Sequence, residues 1–241
     1  CNFPTWHVFR FLATGLMAGN VALLKHATNV PLCADLIAEM LDLAGIPEGV
    51  FGVLHINNKD AAQVIADPRV HAITLTGSEK AGKSVASNSG DNLKKCVMEL
   101  GGSDPFVVLD DADLSKAIPI AVASRFGNGG QTCIAAKRFI LTPGIAKEFV
   151  AQFVEAASKL TVGDPSSLDT NLAPMVRPDA RDEVHRQVLE SVMAGAKILI
   201  GGEKGPGVCD YPATILDNVV PGVLAYSEEL FGPVASIIYA K

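Results

Sequence analysis

The sequence predicts an α/β fold, because stretches with helical spacing of apolar residues alternate with short runs of β-branched and other apolar residues. Such alternation is typical of a parallel sheet whose strands are joined by crossover helices. The pattern breaks at Gly101-Gly102 and then restarts. We therefore expect two α/β domains, 1–101 and 102–241, in a chain of 241 residues, which is ample for a real core.

The first domain is predicted to alternate between helices and strands. Its first helix ends on Gly19, and its second is stopped by Gly45 and Pro47. The segment 71–76 has the β-branched character of a strand. The predicted helices are 4–19, 32–43, 60–66 and 78–87, and the predicted strands are 21–25, 50–56, 71–76 and 95–100.

The second domain repeats the alternation. Its first helix is predicted to start in the cap region 111–113 and to run through Phe126. The glycine-rich run 201–207 is expected to be a surface hairpin loop rather than a phosphate site, because no helix follows it. The further predicted helices are 146–160 and 178–194, and the predicted strands are 106–109, 139–141 and 197–200, with several more up to Tyr239.

Composition and charge narrow the classes of function. Hydrophobic residues make up 49% of the chain and charged residues 19%, as in a soluble globular protein. The net charge of −6 and the scattered Lys and Arg argue against a nucleic-acid partner and against a polybasic membrane contact. The longest apolar stretch, 11–24, is interrupted by Gly and Asn and is too short to span a bilayer.

The five cysteines are widely spaced, and none pairs with another Cys or a His at metal-ligand spacing. This pattern favours reduced thiols in a cytoplasmic protein and predicts no metal site. The chain opens at Cys1 without an initiator Met, so we expect it to be a fragment of a longer protein.

Cys133 is the strongest candidate for a catalytic residue. It lies in the segment 130–134 (Gly-Gln-Thr-Cys-Ile), just after a glycine-rich loop. Glycines let the backbone approach a ligand, and nearby N–H groups favour the thiolate, which is the nucleophilic form. A buried, inert cysteine is the alternative, because free cysteine is among the most buried residue types.

Two motifs of the first domain lie where predicted strands end. Gly77 and Ser78 join a strand to a helix, so helix N–H groups lie where α/β sheets bind ligands; a plain N-cap is the alternative. Glu99 is flanked by Met and Leu and precedes two glycines. We interpret it as a partly desolvated general base or as a salt-bridged strand end.

Two further motifs lie near the ends of the chain. Asn2 precedes Phe-Pro at the entrance of the first helix, where its amide is either a hydrogen-bond donor or an ordinary N-cap. Glu229 precedes Leu-Phe-Gly-Pro, and this segment is either part of a ligand site or simply an exposed turn.

Together, these motifs resemble those of the NAD(P)-dependent aldehyde dehydrogenase superfamily over essentially the whole chain. The resemblance implies a Rossmann-like parallel-sheet cofactor domain over 1–101, followed by a C-terminally incomplete catalytic domain over 102–241. It also implies a small aldehyde substrate and a parent protein that is a homodimer or homotetramer. The matching segments are Asn2-Phe-Pro, Lys25, Gly77-Ser78, Glu99-Leu-Gly-Gly, Gly130-Gln-Thr-Cys133 and Glu229-Leu-Phe231-Gly-Pro.

The resemblance also implies a role for each matching residue. Cys133 would attack the aldehyde to give a thiohemiacetal and then a thioester. Asn2 and the Cys133 N–H would hold the oxyanion, and Glu99 would act as general base. Lys25 would contact the adenine ribose, Gly77-Ser78 the pyrophosphate and Glu229 the nicotinamide ribose, with Phe231 packing near the nicotinamide.

Two positions bear on the cofactor and the substrate. Thr28 stands where many NAD-preferring relatives carry a Glu that repels a 2′-phosphate, so we expect NADP to be accepted as well as NAD. Segment 99–114 looks most like bacterial succinate-semialdehyde dehydrogenases, in which Arg10 matches a carboxylate-binding arginine. A second arginine, expected six residues before the nucleophile, is replaced by Gly127, so another semialdehyde or a medium-chain aldehyde is the alternative.

Two other classes of function stay open at this point. A thiol esterase or amidase would use Cys133 and Glu99 without a cofactor, but it leaves Lys25, the Gly77 turn and Glu229 unexplained. A non-catalytic relative would only bind a nucleotide or another subunit, which the intact catalytic residues argue against.

Overall fold

The computed structural model describes residues 2–240 and divides into two compact units, 1–101 and 102–241. The division falls between Gly101 and Gly102. Each unit is built from helices and largely parallel strands, so the predicted α/β class is confirmed. Within residues 2–240, no helix is both long and apolar enough to cross a membrane. Cys1 lies outside the described residues.

The first unit contains two parallel strand pairs, β1 with β2 and β3 with β4. A helix connects the two strands of each pair, as a parallel crossover requires. The elements are α1 (Trp6–Met17), β1 (Ala22–Leu24), α2 (Pro31–Leu43), β2 (Phe51–Val53), α3 (Asn58–Ala66), β3 (Ala72–Thr76), α4 (Glu79–Asp91) and β4 (Lys95–Glu99).

Two of these helices differ from their predicted bounds at places where an asparagine side chain bonds to the backbone. Helix α3 begins two residues early because the Asn57 side chain accepts hydrogen bonds from the N–H groups of Lys59 and Asp60. Helix α4 continues four residues past its predicted end. There Asn88 donates to the carbonyl of Ser84 one turn earlier, which satisfies a polar side chain inside the helix.

The second unit contains one sheet of five strands in the order β5-β6-β9-β8-β7. All neighbours are parallel except β7 and β8, so the run 201–207 does lie in the connection of an antiparallel pair, as predicted. The elements are β5 (Asp104–Val108), α5 (Leu114–Phe126), β6 (Ala136–Leu141), α6 (Ala146–Ser158), α7 (Pro178–Met193), β7 (Lys197–Ile200), β8 (Thr214–Asp217), α8 (Leu224–Ser227) and β9 (Val234–Tyr239).

Two strands of this sheet begin earlier than predicted. Strand β5 includes Pro105, which the sheet tolerates because β5 is an edge strand and the missing N–H breaks no essential ladder bond. Strand β6 includes Lys137, whose side chain is buried despite its charge. The predicted strands therefore start two and three residues too late, respectively.

The two units differ in the size of their cores. Two clusters of 17 and 11 buried side chains fill the second unit, whereas four buried side chains form the cluster of the first. Three rings, Phe139, Phe149 and Phe153, centre the larger cluster with centroids 4.8–6.1 Å apart. Such rings bury large apolar areas and dominate core energetics.

Candidate functional site

The turn that carries Cys133 is formed by unusual backbone angles. A single 3₁₀ turn, Gly127–Gly130, follows α5, and Asn128, Gly129 and Gly130 have φ values of 55°, 62° and 69°. Left-handed angles of this kind suit glycine, and asparagine tolerates them better than most residues. Cys133 follows directly as a free, half-buried thiol. The sequence therefore places its thiol on a tight turn, as expected.

Gly130 is required by close approach as well as by its backbone angle. A Cβ atom at this position would lie 2.2 Å from the carbonyl oxygen of Gly232, which no side chain can accommodate. The glycine-rich turn before the thiol is thus pressed against the segment that leads into β9.

Arg125 holds these two segments together. Its side chain is fully buried at the end of α5. The guanidinium donates to the carbonyls of Gly130, Gly232 (2.7 Å) and Ala136 (3.0 Å). Burial lowers the pKa of Arg125, and the charge of Glu229 acts in the opposite direction. Arg125 is enclosed by protein carbonyls, so it cannot serve as the missing second arginine for a substrate carboxylate.

Lys137 makes a second buried set of contacts around the same turn. Its side chain is 1% exposed, and its Nζ donates to the carbonyls of Cys133 (2.7 Å), Thr132 (3.2 Å) and Ala135 (3.4 Å). Nζ also lies 3.2 Å from Oε1 of Glu229 in an ion pair. Glu229 thus supplies the opposite charge next to the buried ammonium. The predicted residues Cys133 and Glu229 therefore share one cationic neighbour.

Phe231 lies two residues beyond Glu229 and is half-buried. The neighbouring Glu228 faces Gln187, whose amide donates to it at 3.3 Å and to the Glu229 carbonyl at 3.2 Å. The two adjacent carboxylates thus have different partners, one on α7 and one on β6. This segment is a fixed turn rather than an unattached loop.

In the first unit, Glu99 ends β4 and pairs with Arg10 on α1. Arg10 donates to the Glu99 carboxylate at 2.9 Å, and both side chains are about half exposed. The expectation that Met98 and Leu100 would partly desolvate Glu99 is wrong, because side chains of a strand alternate in direction and its own carboxylate faces solvent. The predicted base and the predicted substrate arginine thus lie in one exposed ion pair.

Asn2 lies near the start of α1 but does not cap it. The N-cap residue is Thr5, without a side-chain cap bond, so the N-cap interpretation of Asn2 is wrong. Burial, and next the charge of Arg10, lower the pKa of His7, so its imidazole is neutral at pH 7. The ring lies with Nε2 3.2 Å from the Asn2 Oδ1, and we assign Nε2 as the donor. An amide held by its oxygen presents its NH₂ group as the donor end.

Lys25 and Thr28 lie beside a hollow of about 270 Å³ in the first unit. Lys25 donates to the Asn58 side chain at 2.7 Å, next to the start of α3. Thr28 lines the hollow itself, as does His55, which pairs with Asp35 at 2.6 Å. The lining residues are His26, Ala27, Thr28, Pro31, Leu54, His55, Ile56 and Asn57.

Gly77 and Ser78 make a capped strand-to-helix turn. The Ser78 hydroxyl accepts from the N–H of Ala81, and the Gly77 N–H donates to the carbonyl of Glu99 at 3.0 Å. The plain N-cap therefore describes the hydroxyl of Ser78 in this structure. Gly82 has a packing role, since a Cβ there would lie 2.6 Å from the Leu100 side chain.

The predicted site residues thus fall into three groups within the two units. The first group, in the first unit, contains Asn2, Arg10 and Glu99. His7 hydrogen-bonds to Asn2, and its pKa is lowered by burial and by the charge of Arg10 and raised by that of Glu99. The cofactor candidates Lys25 and Thr28 lie near one hollow of that unit. Cys133 and Glu229 are joined through Lys137 in the second. Sequence reasoning missed the roles of His7, Arg125 and Lys137.

Comparison with known proteins identifies the class to which this fold and this set of residues belong. The sequence profile of the aldehyde dehydrogenase family matches residues 1–241. The chain therefore belongs to the aldehyde dehydrogenase family.

Within this family, the chain is similar to several succinate-semialdehyde dehydrogenases. The chain is 52% identical over 241 residues to the NAD(P)+ succinate semialdehyde dehydrogenase of Escherichia coli K12, covering 100% of this chain and 52% of that protein. It is 51% identical over 236 residues to a probable NADP+ succinate-semialdehyde dehydrogenase of Synechocystis, covering 97% and 52%. The crystal structure of succinic semialdehyde dehydrogenase from Streptococcus pyogenes with NADP+ superposes with a TM-score of 0.96 at 35% identity, covering 100% and 53%. The chain spans about half the length of these relatives.

Proposed function

We propose that the protein containing this chain oxidises an aldehyde to the carboxylic acid with NAD or NADP, and that its substrate is a semialdehyde such as succinate semialdehyde. The observation that carries the proposal is the half-buried thiol of Cys133 on a turn fixed by Arg125 and Lys137, in a chain of the aldehyde dehydrogenase family. A fixed turn holds a nucleophile in one orientation, which lowers the entropic part of the barrier.

Each candidate residue has a defined part in the proposal. The Cys133 thiolate attacks the aldehyde carbon, and the Asn2 NH₂ group and the Cys133 N–H stabilise the negative oxygen that forms. Glu229 and Phe231 would hold the nicotinamide end of NAD or NADP, which would supply the hydride acceptor for oxidation to the thioester. Glu99 then accepts a proton from the water that hydrolyses the thioester. Its carboxylate is about half exposed in the ion pair with Arg10, so water can reach it.

The first unit, 1–101, is assigned the cofactor and the second, 102–241, the nucleophile. The hollow beside Thr28 fits the proposed nucleotide, because it lies at the strand ends β1 and β2 and is lined by neutral and imidazole groups rather than by a carboxylate. Lys25 and the N-terminus of α4 at Ser78 add positive potential for an anionic ligand. Glu229 and Phe231 are the residues of the second unit assigned to the nicotinamide end.

The carboxylate of a semialdehyde suits Arg10, whose guanidinium is half exposed and already binds one carboxylate, that of Glu99. The names of the relatives from E. coli and Synechocystis agree with this choice of substrate. Gly127 at the place of a second arginine means that Arg10 is the single guanidinium assigned to the substrate.

The test uses the complete gene product with matched aldehydes. Succinate semialdehyde and butanal have four carbons each but differ in the distal carboxylate, and each is assayed with NAD and with NADP by the absorbance of the reduced coenzyme. We expect oxidation with NADP. We also expect a kcat/KM at least about tenfold higher for succinate semialdehyde, because a charge-assisted hydrogen bond contributes about 1.5–3 kcal/mol.

Two further assays on the same protein separate the two alternatives, a thiol hydrolase and a non-catalytic relative. Hydrolysis of an activated ester without any coenzyme-linked turnover would identify a thiol hydrolase and contradict the proposal. If NADP protects Cys133 from alkylation but no aldehyde is turned over, the protein is a non-catalytic nucleotide-binding relative. Equal kcat/KM for the two aldehydes would remove the semialdehyde assignment while leaving aldehyde oxidation intact.

Replacing Thr28 tests the coenzyme assignment. Thr28→Glu places a carboxylate in the hollow, so it should weaken NADP far more than NAD through repulsion of the 2′-phosphate. Thr28→Gln has a similar size without the charge and is the matched control. Equal loss of both coenzymes in Thr28→Glu would show that Thr28 does not face the 2′-position.

A further inference from the structure

The buried ammonium of Lys137 is not explained by core packing. Burying an ammonium group costs several kcal/mol unless hydrogen bonds and an opposite charge compensate it. For Lys137 this compensation comes from the backbone carbonyls of one short segment, Thr132 to Ala135, and from one carboxylate, that of Glu229. A merely structural position in β6 would be filled at lower cost by an apolar residue, as its neighbours Ala135 and Ala136 show.

The geometry points to a role for Lys137 as a positioning residue: we propose that it holds the Cys133 turn and, through its ion pair with Glu229, transmits changes at Glu229 to the Cys133 thiol. The inference rests on the proposed role of Cys133 as nucleophile. The shortest of its hydrogen bonds, 2.7 Å, goes to the carbonyl of Cys133 itself. The ammonium therefore holds the backbone of the residue that carries the thiol.

The charges around Lys137 determine which group can influence it; we call the link from Glu229 through Lys137 to Cys133 the relay. Burial lowers the pKa of Lys137, and the neighbouring Arg125 on α5 lowers it further, whereas Glu229 and Asp104 on β5 raise it. Glu229 has the largest effect among these charged groups and is its ion-pair partner. A ligand that hydrogen-bonds to the Glu229 carboxylate therefore changes the balance that keeps Lys137 charged and in place.

The test measures Cys133 directly, without aldehyde or coenzyme. Iodoacetamide alkylates the complete gene product, and mass spectrometry reads the rate at each cysteine separately. Lys137→Met keeps most of the length of the side chain but removes its charge. We expect it to slow alkylation of Cys133 about tenfold at pH 7, because the cation that holds the Cys133 backbone is lost.

Two references separate this effect from general destabilisation. Cys209 is also half-buried in the second unit, and its rate should not change. Lys159→Met makes the same chemical change at a 69% exposed lysine that pairs with Glu155, and it should leave Cys133 unaffected. Lys137→Arg, which retains a charge and donors, should restore part of the rate. An unchanged Cys133 rate in folded Lys137→Met would overturn the proposal.

Glu229→Gln supplies an independent measurement if Lys137→Met does not fold. With Lys137 intact, it should change the alkylation rate of Cys133 at least about threefold, since the counter-charge of the ammonium is lost. In the Lys137→Met background the same replacement should have a smaller effect. A Cys133 rate that does not respond to Glu229→Gln, or that responds equally in both backgrounds, contradicts the relay. Retained turnover in Cys133→Ser would instead contradict the proposed function.

Discussion

In the second unit two buried cations, Arg125 and Lys137, bind six different backbone carbonyls around the Cys133 turn, whereas in the first unit Glu99 is held by a single exposed ion pair with Arg10. The first arrangement is costly to disturb, because each broken contact leaves a buried charge or carbonyl unpaired. The second contributes only about 0–1 kcal/mol, because both partners are hydrated. The comparison teaches that the proposed nucleophile is fixed by folding, whereas the proposed base is free to change position.

The largest expected effect is at the thiol. Cys133→Ser should lower kcat by about 10⁴-fold or more, because a serine hydroxyl is not ionised at neutral pH and cannot replace a thiolate. Steady-state assays with succinate semialdehyde and NADP measure the loss, and Cys209→Ser in the same unit is the control. If Cys133→Ser still oxidises aldehydes, the rigid turn does not carry the nucleophile.

The next effect concerns the two cores. Phe153→Ala should lower the free energy of unfolding by about 3–5 kcal/mol, because it removes a fully buried ring in contact with Phe139 and Phe149. Met17→Ala in the first unit, where the side chain is 88% exposed, should change it by less than about 0.5 kcal/mol. Equilibrium denaturation in urea measures both. Similar losses in the two variants would contradict the contrast between the units.

Glu99→Gln sharpens the contrast at the chemical step. The glutamine carbonyl can still accept the Arg10 hydrogen bond, so the side chain should keep its place but can no longer take a proton. We expect about a 10²-fold lower steady-state rate, preceded by a burst of reduced coenzyme as the thioester accumulates. Rapid-mixing absorbance records the burst. A normal steady-state rate would mean that another group activates the hydrolytic water.

Arg10→Ala should have the smallest effect, and one that depends on substrate charge. KM for succinate semialdehyde should rise about tenfold through loss of a charge-assisted hydrogen bond. Butanal has no carboxylate, so any change in its kinetics reports the loss of Arg10 from Glu99 instead. Arg10→Lys retains the charge and is the matched control. An equal rise in KM for both aldehydes would show that Arg10 does not bind the substrate.

The fold class was predictable because it depends on local patterns. Alternating helical and extended stretches were sufficient for the α/β assignment and for the hairpin around 201–207, since both follow from periodicity and glycine content. Strand β6 was predicted three residues too short, because Lys137 reads as a polar interruption when its partners are unknown. A lysine and an arginine opening an otherwise apolar strand were the available signal.

The candidate site was predictable only in part, because the residues that contact one another there lie far apart in the sequence. Cys133 could be proposed from its own segment, but the contacts that fix it come from elsewhere. Glu229 lies 92 residues past Lys137 by sequence number, and Gly232 lies 107 residues past Arg125. No local pattern encodes such partners. The exposure of Glu99 was likewise misjudged, because its flanking residues face away from its own side of the strand.

The bond from Arg125 to the Gly232 carbonyl has a consequence for how the protein matures. The thiol turn is complete only after the segment leading into β9 has docked, and β9 lies between β6 and β8 in the sheet. During synthesis the ribosome has made the cysteine roughly a hundred residues before its anchor emerges, and such non-local closure forms late in folding. The turn that carries the Cys133 thiol therefore reaches its final form only when the sheet is finished.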